Sequence, residues 1–238
     1  MRVEGCVALV TGANRGLGAV FARALVDRGA RVVYAGARDP ATVTGAGLVP
    51  VRLDVTDPDE VAAAATRCGD TTLLVNNAGV LANSPFLAAP SMAAARDEMA
   101  VNYFGTLAMC RAFAPVLAGG AIVNILSVAS FYTNPAMGSY AASKAAAWAL
   151  TNGVRTELRH QGTQVLAVHS GYIDTDMAAA VTAPKNAPEA IVSATLDALE
   201  AGAEELLADD RTRRTKAAVP TDLATIYPDV QRQWDQLR

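Results

Sequence analysis

Short apolar runs, many of them β-branched, punctuate the chain: CVALV (6–10), RVVYA (31–35), LVPVRL (48–53), TLLVN (72–76), AIVNIL (121–126), QVLAVH (164–169) and ELLA (205–208). Most lack the apolar–polar alternation of a half-exposed strand. They predict strands buried on both faces, as a parallel sheet covered by helices requires. Between them, longer alanine-rich segments predict helices near 17–28, 57–67, 91–118, 139–160 and 187–201. The alternation implies an α/β fold: a doubly wound parallel sheet of about seven strands, with right-handed crossovers and helices on both faces. Pro40 to Gly47 is too short and broken for a full helix and predicts one abbreviated crossover. No repeat, linker or break in composition divides the chain, so residues 1–238 are expected to form a single domain. The polar, irregular stretch 209–238 is expected to pack over the sheet edge or the substrate cleft.

Composition removes several classes of partner. Apolar residues make up 52% of the chain, enough for a sizeable core, and the net charge of −3 leaves no footprint for nucleic acid or an anionic membrane. Arg213, Arg214 and Lys216 form a short basic cluster that reads as a solvated face. Cys6, Cys68 and Cys110 are odd in number and lack CxxC spacing, which argues against a disulfide framework and against a metal site. His160 and His169 lack ligand spacing as well. Residues 112–143 carry no charge, but prolines, glycines and asparagines interrupt them and make a poor membrane span. No signal peptide is evident before VEGCVALVTG, and a soluble, cytoplasmic protein is expected.

The first strand runs directly into TGANRGLG (11–18), which opens a helix. This Gly-x-x-x-Gly-x-Gly pattern departs from the commoner Gly-x-Gly-x-x-Gly fingerprint, but the physics carries over. Gly12 permits the tight turn, Gly16 lets backbone approach a pyrophosphate at the helix N-terminus, and Gly18 lets the helix pack close to the sheet. With Asn14, Arg15 and Leu17 they form a candidate dinucleotide site. An acidic residue at the end of the second strand would bind the ribose 2′-hydroxyl of NAD, whereas an arginine favours the 2′-phosphate of NADP. Here YAGARDP places Arg38 twenty residues after Gly18, with Arg15 as a second cation, so NADP is expected over NAD; Asp39 beside Arg38 blurs the signal.

Further along, GSYAASKAAAWAL (138–150) puts a phenol and an ammonium one helical turn apart, at Tyr140 and Lys144. A lysine beside a tyrosine favours the phenolate. Bringing a tyrosine from about pKa 10 to near 7 takes about 4 kcal/mol, which one cation at about 4 Å supplies at an effective dielectric near 20. A catalytic pKa near working pH is what proton transfer needs.

Taken in order, TGANRGLG (11–18), NNAG (76–79), Ser127 in NILSVAS and YAASK (140–144) make the chain resemble the short-chain dehydrogenase/reductase family, in its compact single-domain branch with a Rossmann-type sheet. The resemblance covers roughly residues 5–210. It implies that Tyr140 is the general acid/base, that Lys144 lowers its pKa and holds the nicotinamide ribose, and that Ser127 orients the substrate oxygen. It further implies that Asn102 holds a water for proton exchange, although an asparagine there could simply bridge backbone in a bent helix. Asp54 and Val55 would contact the adenine, Asn77, Ala78 and Gly79 would line the adenosine ribose, and Ile173 and Thr175 would meet the carboxamide. One departure stands out: the family usually has Pro-Gly after the sixth strand, and here Ser170 precedes Gly171.

The residues expected to border the nicotinamide, Leu81, Val128, Phe131, Met137, Tyr172 and Ile173, include no arginine or lysine. They favour a neutral, partly hydrophobic ketone, aldehyde or secondary alcohol. Met177 and the alanines after it are expected to form a flap. A non-catalytic dinucleotide sensor is the alternative, although it would have no need of Asn102, Ser127, Tyr140 and Lys144 together; an NAD-dependent dehydrogenase of the same family is another. The Tyr140 helix is apolar on more than one face, which predicts a homodimer or homotetramer through that helix, with Trp148 as an anchor.

Overall fold

The computed structural model describes residues 1–236. Seven parallel strands form one sheet in the order β3-β2-β1-β4-β5-β6-β7. They are β1 (Val7–Thr11), β2 (Val32–Ala37), β3 (Leu48–Arg52), β4 (Leu73–Asn76), β5 (Ala121–Ile125), β6 (Gln164–His169) and β7 (Glu205–Leu207). Every residue of β1 and β4 is buried, as their uninterrupted apolar runs require. One face is covered by α1 (Gly16–Asp27) and α6 (Pro188–Glu200), whose Phe21, Leu25, Leu196 and Leu199 pack against Ala8, Val10 and Leu166. The other is covered by α2 (Pro58–Arg67), α3 (Ala93–Met99), α4 (Thr106–Phe113) and α5 (Gly138–Leu158), with Val61, Met109, Phe113 and Leu158 on Leu9, Leu74 and Ile122. Only a 3₁₀ turn, Pro40–Thr42, stands between β2 and β3, the short crossover the sequence predicts.

Two predicted segments differ. The helix expected over 91–118 is broken between α3 and α4 by a π-helical turn, Ala100–Gly105. There the buried Asn102 side chain bonds both main-chain groups of Val80 and the Ser143 hydroxyl, while Gly105 lies so close to Val55 that an added Cβ would sit 2.6 Å from its Cγ2. These lateral ties outweigh the register of an undistorted helix. The C-terminal stretch is helical rather than irregular, forming α7 (Asp210–Ala218), α8 (Asp222–Thr225) and α9 (Tyr227–Asp235). Asp209 caps α7 by accepting from Thr212 N, and ion pairs Asp210–Arg213 and Asp229–Arg232 lie along the solvated faces, so capping and pairing stabilise helices that have little apolar stripe. Among the described residues, no helix is long and apolar enough to cross a membrane.

Candidate active site

The strand order reverses between β1 and β4, and at such a switch point the loops leave the sheet in opposite directions and open a crevice. The glycine loop and the NNAG segment line it and are tied to each other. Thr11 Oγ1 accepts from Asn77 N at 3.0 Å and Ala78 N at 2.9 Å, and Asn77 Nδ2 donates to the Thr11 carbonyl at 2.9 Å. Gly12 and Gly16 adopt left-handed φ values of 64° and 52°. A Cβ on Gly18 would lie 2.1 Å from the Gly12 carbonyl oxygen, so the first turn of α1 must be bare there. This close backbone cradle at a helix N-terminus fits a dinucleotide pyrophosphate. Leu17 turns into the core, Asn14 stays partly exposed and Arg15 is exposed on the rim.

Arg38, exposed at the end of β2, lies near enough to Asp54 to act on its charge. Burial alone would raise the Asp54 carboxyl, but hydrogen bonds from Thr56 and the charges of Arg38 and Arg52 hold it below its ordinary range. Val55 packs against Gly105, with a Cβ there falling 2.6 Å from its Cγ2 and 3.3 Å from its carbonyl oxygen. Thr175 sits over the glycine loop: a Cβ on Gly16 would be 3.6 Å from its Cγ2. Ile173 pairs with Asn186 in an isolated bridge beside it, and Asp176 faces Arg15 at 3.7 Å.

On the other side of the crevice, Ser127 stands two residues beyond β5 and caps a 3₁₀ turn, accepting from Ala129 N at 3.1 Å. Its hydroxyl is within hydrogen-bonding reach of Tyr140, which would lower that phenol; desolvation by the surrounding protein is the larger effect and pushes Tyr140 up to about 12. Lys144 is buried and donates to the Ile125 carbonyl at 2.9 Å, and desolvation brings it down to about 8. Burial therefore outweighs the Ser127 hydrogen bond at the Tyr140 phenol. An added Cβ on Gly79 would meet Asn102 Oδ1 at 3.2 Å and Lys144 Nζ at 3.6 Å, so both groups flank that glycine at the crevice. The Asn102 side chain bridges Val80 and Ser143 across the bend, and its own carbonyl accepts from Thr106.

Phe131, expected to border the nicotinamide, turns inward and meets Trp148, the residue expected to anchor an assembly. Phe131 is buried, stacked on His169 with centroids 4.4 Å apart and edge-on to Trp148 at 4.9 Å. Trp148, half-buried, packs in part on Leu126, Ala147 and Ala167 of the chain itself. Sequence reasoning missed three contributors. Glu98, fully buried, accepts from Ala82 N at 2.7 Å and from Ser139 Oγ, anchoring the loop after β4 beside the Tyr140 helix. Asp209 accepts from Gly171 N at 2.6 Å and Asn186 Nδ2 at 2.9 Å, pinning the turn where the family has a proline. Arg211 reaches back from α7 to Tyr132 and Tyr172. Each joins positions far apart in sequence, so no local pattern marks them.

The chain matches the family model for short chain dehydrogenase over residues 6–186. It is 31% identical over 252 aligned residues to 1-deoxy-11-beta-hydroxypentalenate dehydrogenase of Streptomyces avermitilis, covering 98% of this chain and 92% of that protein. Short chain dehydrogenase tazN of Aspergillus terreus is 34% identical over 74% of this chain, which there spans only 43% of the relative's length. Among solved structures, a short chain dehydrogenase from Burkholderia cenocepacia J2315 in complex with NADP superposes with a TM-score of 0.89 at 46% identity, covering 98% of each chain.

Proposed function

Since the chain belongs to the short-chain dehydrogenase/reductase family, we propose that it is an NADP(H)-dependent oxidoreductase acting on a ketone, aldehyde or secondary alcohol. The observation that carries this reading is the gathering of Asn102 and Lys144 beside Gly79, with Tyr140 beside the Lys144 ammonium and Ser127 within reach of Tyr140. A protein that only sensed a dinucleotide would need the glycine loop and nothing more.

Gly12, Gly16 and Gly18 hold the pyrophosphate, and Asn77, Ala78 and Gly79 line the adenosine ribose. When bound, the coenzyme supplies or accepts the hydride. In reduction Tyr140 gives its proton to the substrate oxygen, and in oxidation it takes one from the hydroxyl. Ser127 orients that oxygen, and Lys144 opposes the negative charge left on the phenol. Asn102 fixes the bend that keeps Lys144 and Ser143 in place. Arg38 and Arg15 are two cations available to a 2′-phosphate, which supports NADP over NAD, and the NADP complex of the Burkholderia cenocepacia protein points the same way.

Self-association is a second part of the proposal. A groove of about 690 Å³ runs between α4 and α5, with Tyr103, Leu107, Ala149, Leu150 and Gly153 among its lining, and it suits the same groove of a second copy. The catalytic reading is tested by a panel of carbonyls and alcohols followed at the nicotinamide absorbance, with NADPH and NADH separately. Turnover faster with NADPH is the expected result; coenzyme binding without turnover of any substrate would favour the sensor.

A further inference from the structure

A cation stands at the outer end of the cleft, where the sequence predicts none. Arg211 leaves the first turn of α7 and lays its guanidinium 4.8 Å from the centroid of the Tyr172 ring, while its Nη2 donates to the Tyr132 hydroxyl at 2.8 Å. Tyr172 in turn lies close enough to Tyr140 for its charge to act on that phenol. A Cβ added to Gly171 would lie 3.6 Å from Arg211 Cδ, so the arginine borders the turn after β6 that leads through Tyr172 to Ile173 and Thr175.

This arginine is partly buried, and among the described residues its guanidinium nitrogens make no ion pair within 4.0 Å, although the Asp209 carboxylate and Arg211 Cδ both border Gly171. Its nearest acidic neighbour in sequence, Asp209, accepts instead from Gly171 N, Asn186 Nδ2 and Thr212 N. Lys216, the next cation along α7 to face inward, pairs with Glu205. Resting on two phenols with one hydrogen bond, to the Tyr132 oxygen, this half-buried guanidinium keeps most of its five donors available. The Tyr132 oxygen accepts from Arg211, so its own proton is free to be donated elsewhere. A planar fork of N–H donors beside a phenol O–H is the donor set that binds a carboxylate.

We propose that Arg211 and Tyr132 form a carboxylate-binding subsite, so that the substrate is an oxo acid or hydroxy acid anchored at its far end rather than a compound neutral throughout. This rests on the oxidoreductase reading only for the reacting end of the molecule. A purely structural role, in which Arg211 merely staples α7 to the cleft, would affect acids and neutral analogues alike.

The test uses the NADPH-loaded protein and a series of oxo acids from 4-oxopentanoate to 7-oxooctanoate, each beside its methyl ester. Binding is measured by calorimetry and turnover by nicotinamide absorbance. The expected result is that at one chain length the acid binds about ten- to a hundredfold more tightly than its ester, the scale of a charge-assisted hydrogen bond. That ratio should fall to about one in Arg211→Met and survive in part in Arg211→Lys, which keeps the charge but loses the fork. Equal binding of acid and ester, an acid preference that persists in Arg211→Met, or no binding of any acid would overturn the subsite. Selective acid binding without turnover would uphold it while overturning the oxidoreductase reading; equal turnover of acid and ester would do the reverse.

Discussion

Lys144 faces Tyr140 with its Nζ 5.8 Å from the centroid of the phenol ring while donating to the Ile125 carbonyl at 2.9 Å. The ammonium is thus tied to the main chain at the end of β5 while it stands beside the phenol ring. Desolvation acts on both groups, raising the phenol to about 12 and lowering the ammonium to about 8. The coenzyme-free protein should therefore hold Tyr140 protonated well above neutrality. Ultraviolet titration of tyrosinate, taken as the difference between wild type and Tyr140→Phe, should show no ionisation from this residue below about pH 10. A phenol titrating near 7 in the free protein would mean that Lys144 alone sets its pKa.

Tyr140→Phe should leave coenzyme affinity nearly unchanged and remove at least roughly two orders of magnitude of turnover, the usual size of a lost general acid. Lys144→Ala should lower both, since the ammonium lies beside Gly79 as well as Tyr140. Steady-state kinetics with coenzyme titration by fluorescence separates the two effects, and near-normal turnover of Tyr140→Phe would remove the phenol from the chemistry.

For coenzyme choice the informative change is Arg38→Ala. It should weaken NADPH more than NADH by about 1.5–3 kcal/mol, the value of a lost hydrogen bond to a charged group. Equal losses for both coenzymes would place the 2′-phosphate elsewhere.

The alternation of buried runs with alanine-rich segments made the sheet, its parallel sense and the short link at Pro40–Thr42 legible, because each rests on local periodicity. The glycine loop was legible for the same reason: three bare positions in eight residues are a local demand of the backbone. What escaped was decided by distant partners. Nothing near Asn102 in sequence announces Val80 and Ser143, whose hydrogen bonds break the helix there. Nor does the polar pattern of residues 209–218 announce that Asp209 pins Gly171 or that Arg211 covers Tyr172. Nor does an apolar helix face reveal that Trp148 packs in part on Phe131 and His169.

His169 makes stability depend on pH. It is fully buried against Phe131 and Trp148, with Nδ1 3.2 Å from the Ser127 carbonyl and Nε2 3.8 Å from Glu205, and desolvation lowers it to about 4 from an ordinary value of 6.5. The unfolded chain thus binds a proton between those values that the folded chain does not. Stability is fully present above about 6.5 and declines as pH falls towards 4, by about 3 kcal/mol for this group. Denaturation at a series of pH values should show that decline. His169→Asn, which keeps a donor but does not titrate, should flatten it; an unchanged slope in the variant would assign the effect to other groups.

Self-association calls for a probe on the groove itself. Trp148→Glu would place a charge beside Phe131 and His169, so loss of assembly in that variant would not separate a broken contact from a damaged fold. Gly153 is better placed: it lies on the exposed face of α5, a Cβ there would meet nothing within 4 Å in the monomer, and it lines the groove with Ala149 and Leu150. A glycine inside a helix is itself unfavourable by about 1 kcal/mol relative to alanine. Gly153→Arg should therefore leave the monomer at least as stable in helix propensity while blocking the approach of a second helix. Light scattering at micromolar concentration should give a multiple of 24.6 kDa for the wild type and a single chain for the variant. A wild-type mass of one chain would remove the assembly from the proposal. An assembly that survives Gly153→Arg would move the interface to another face.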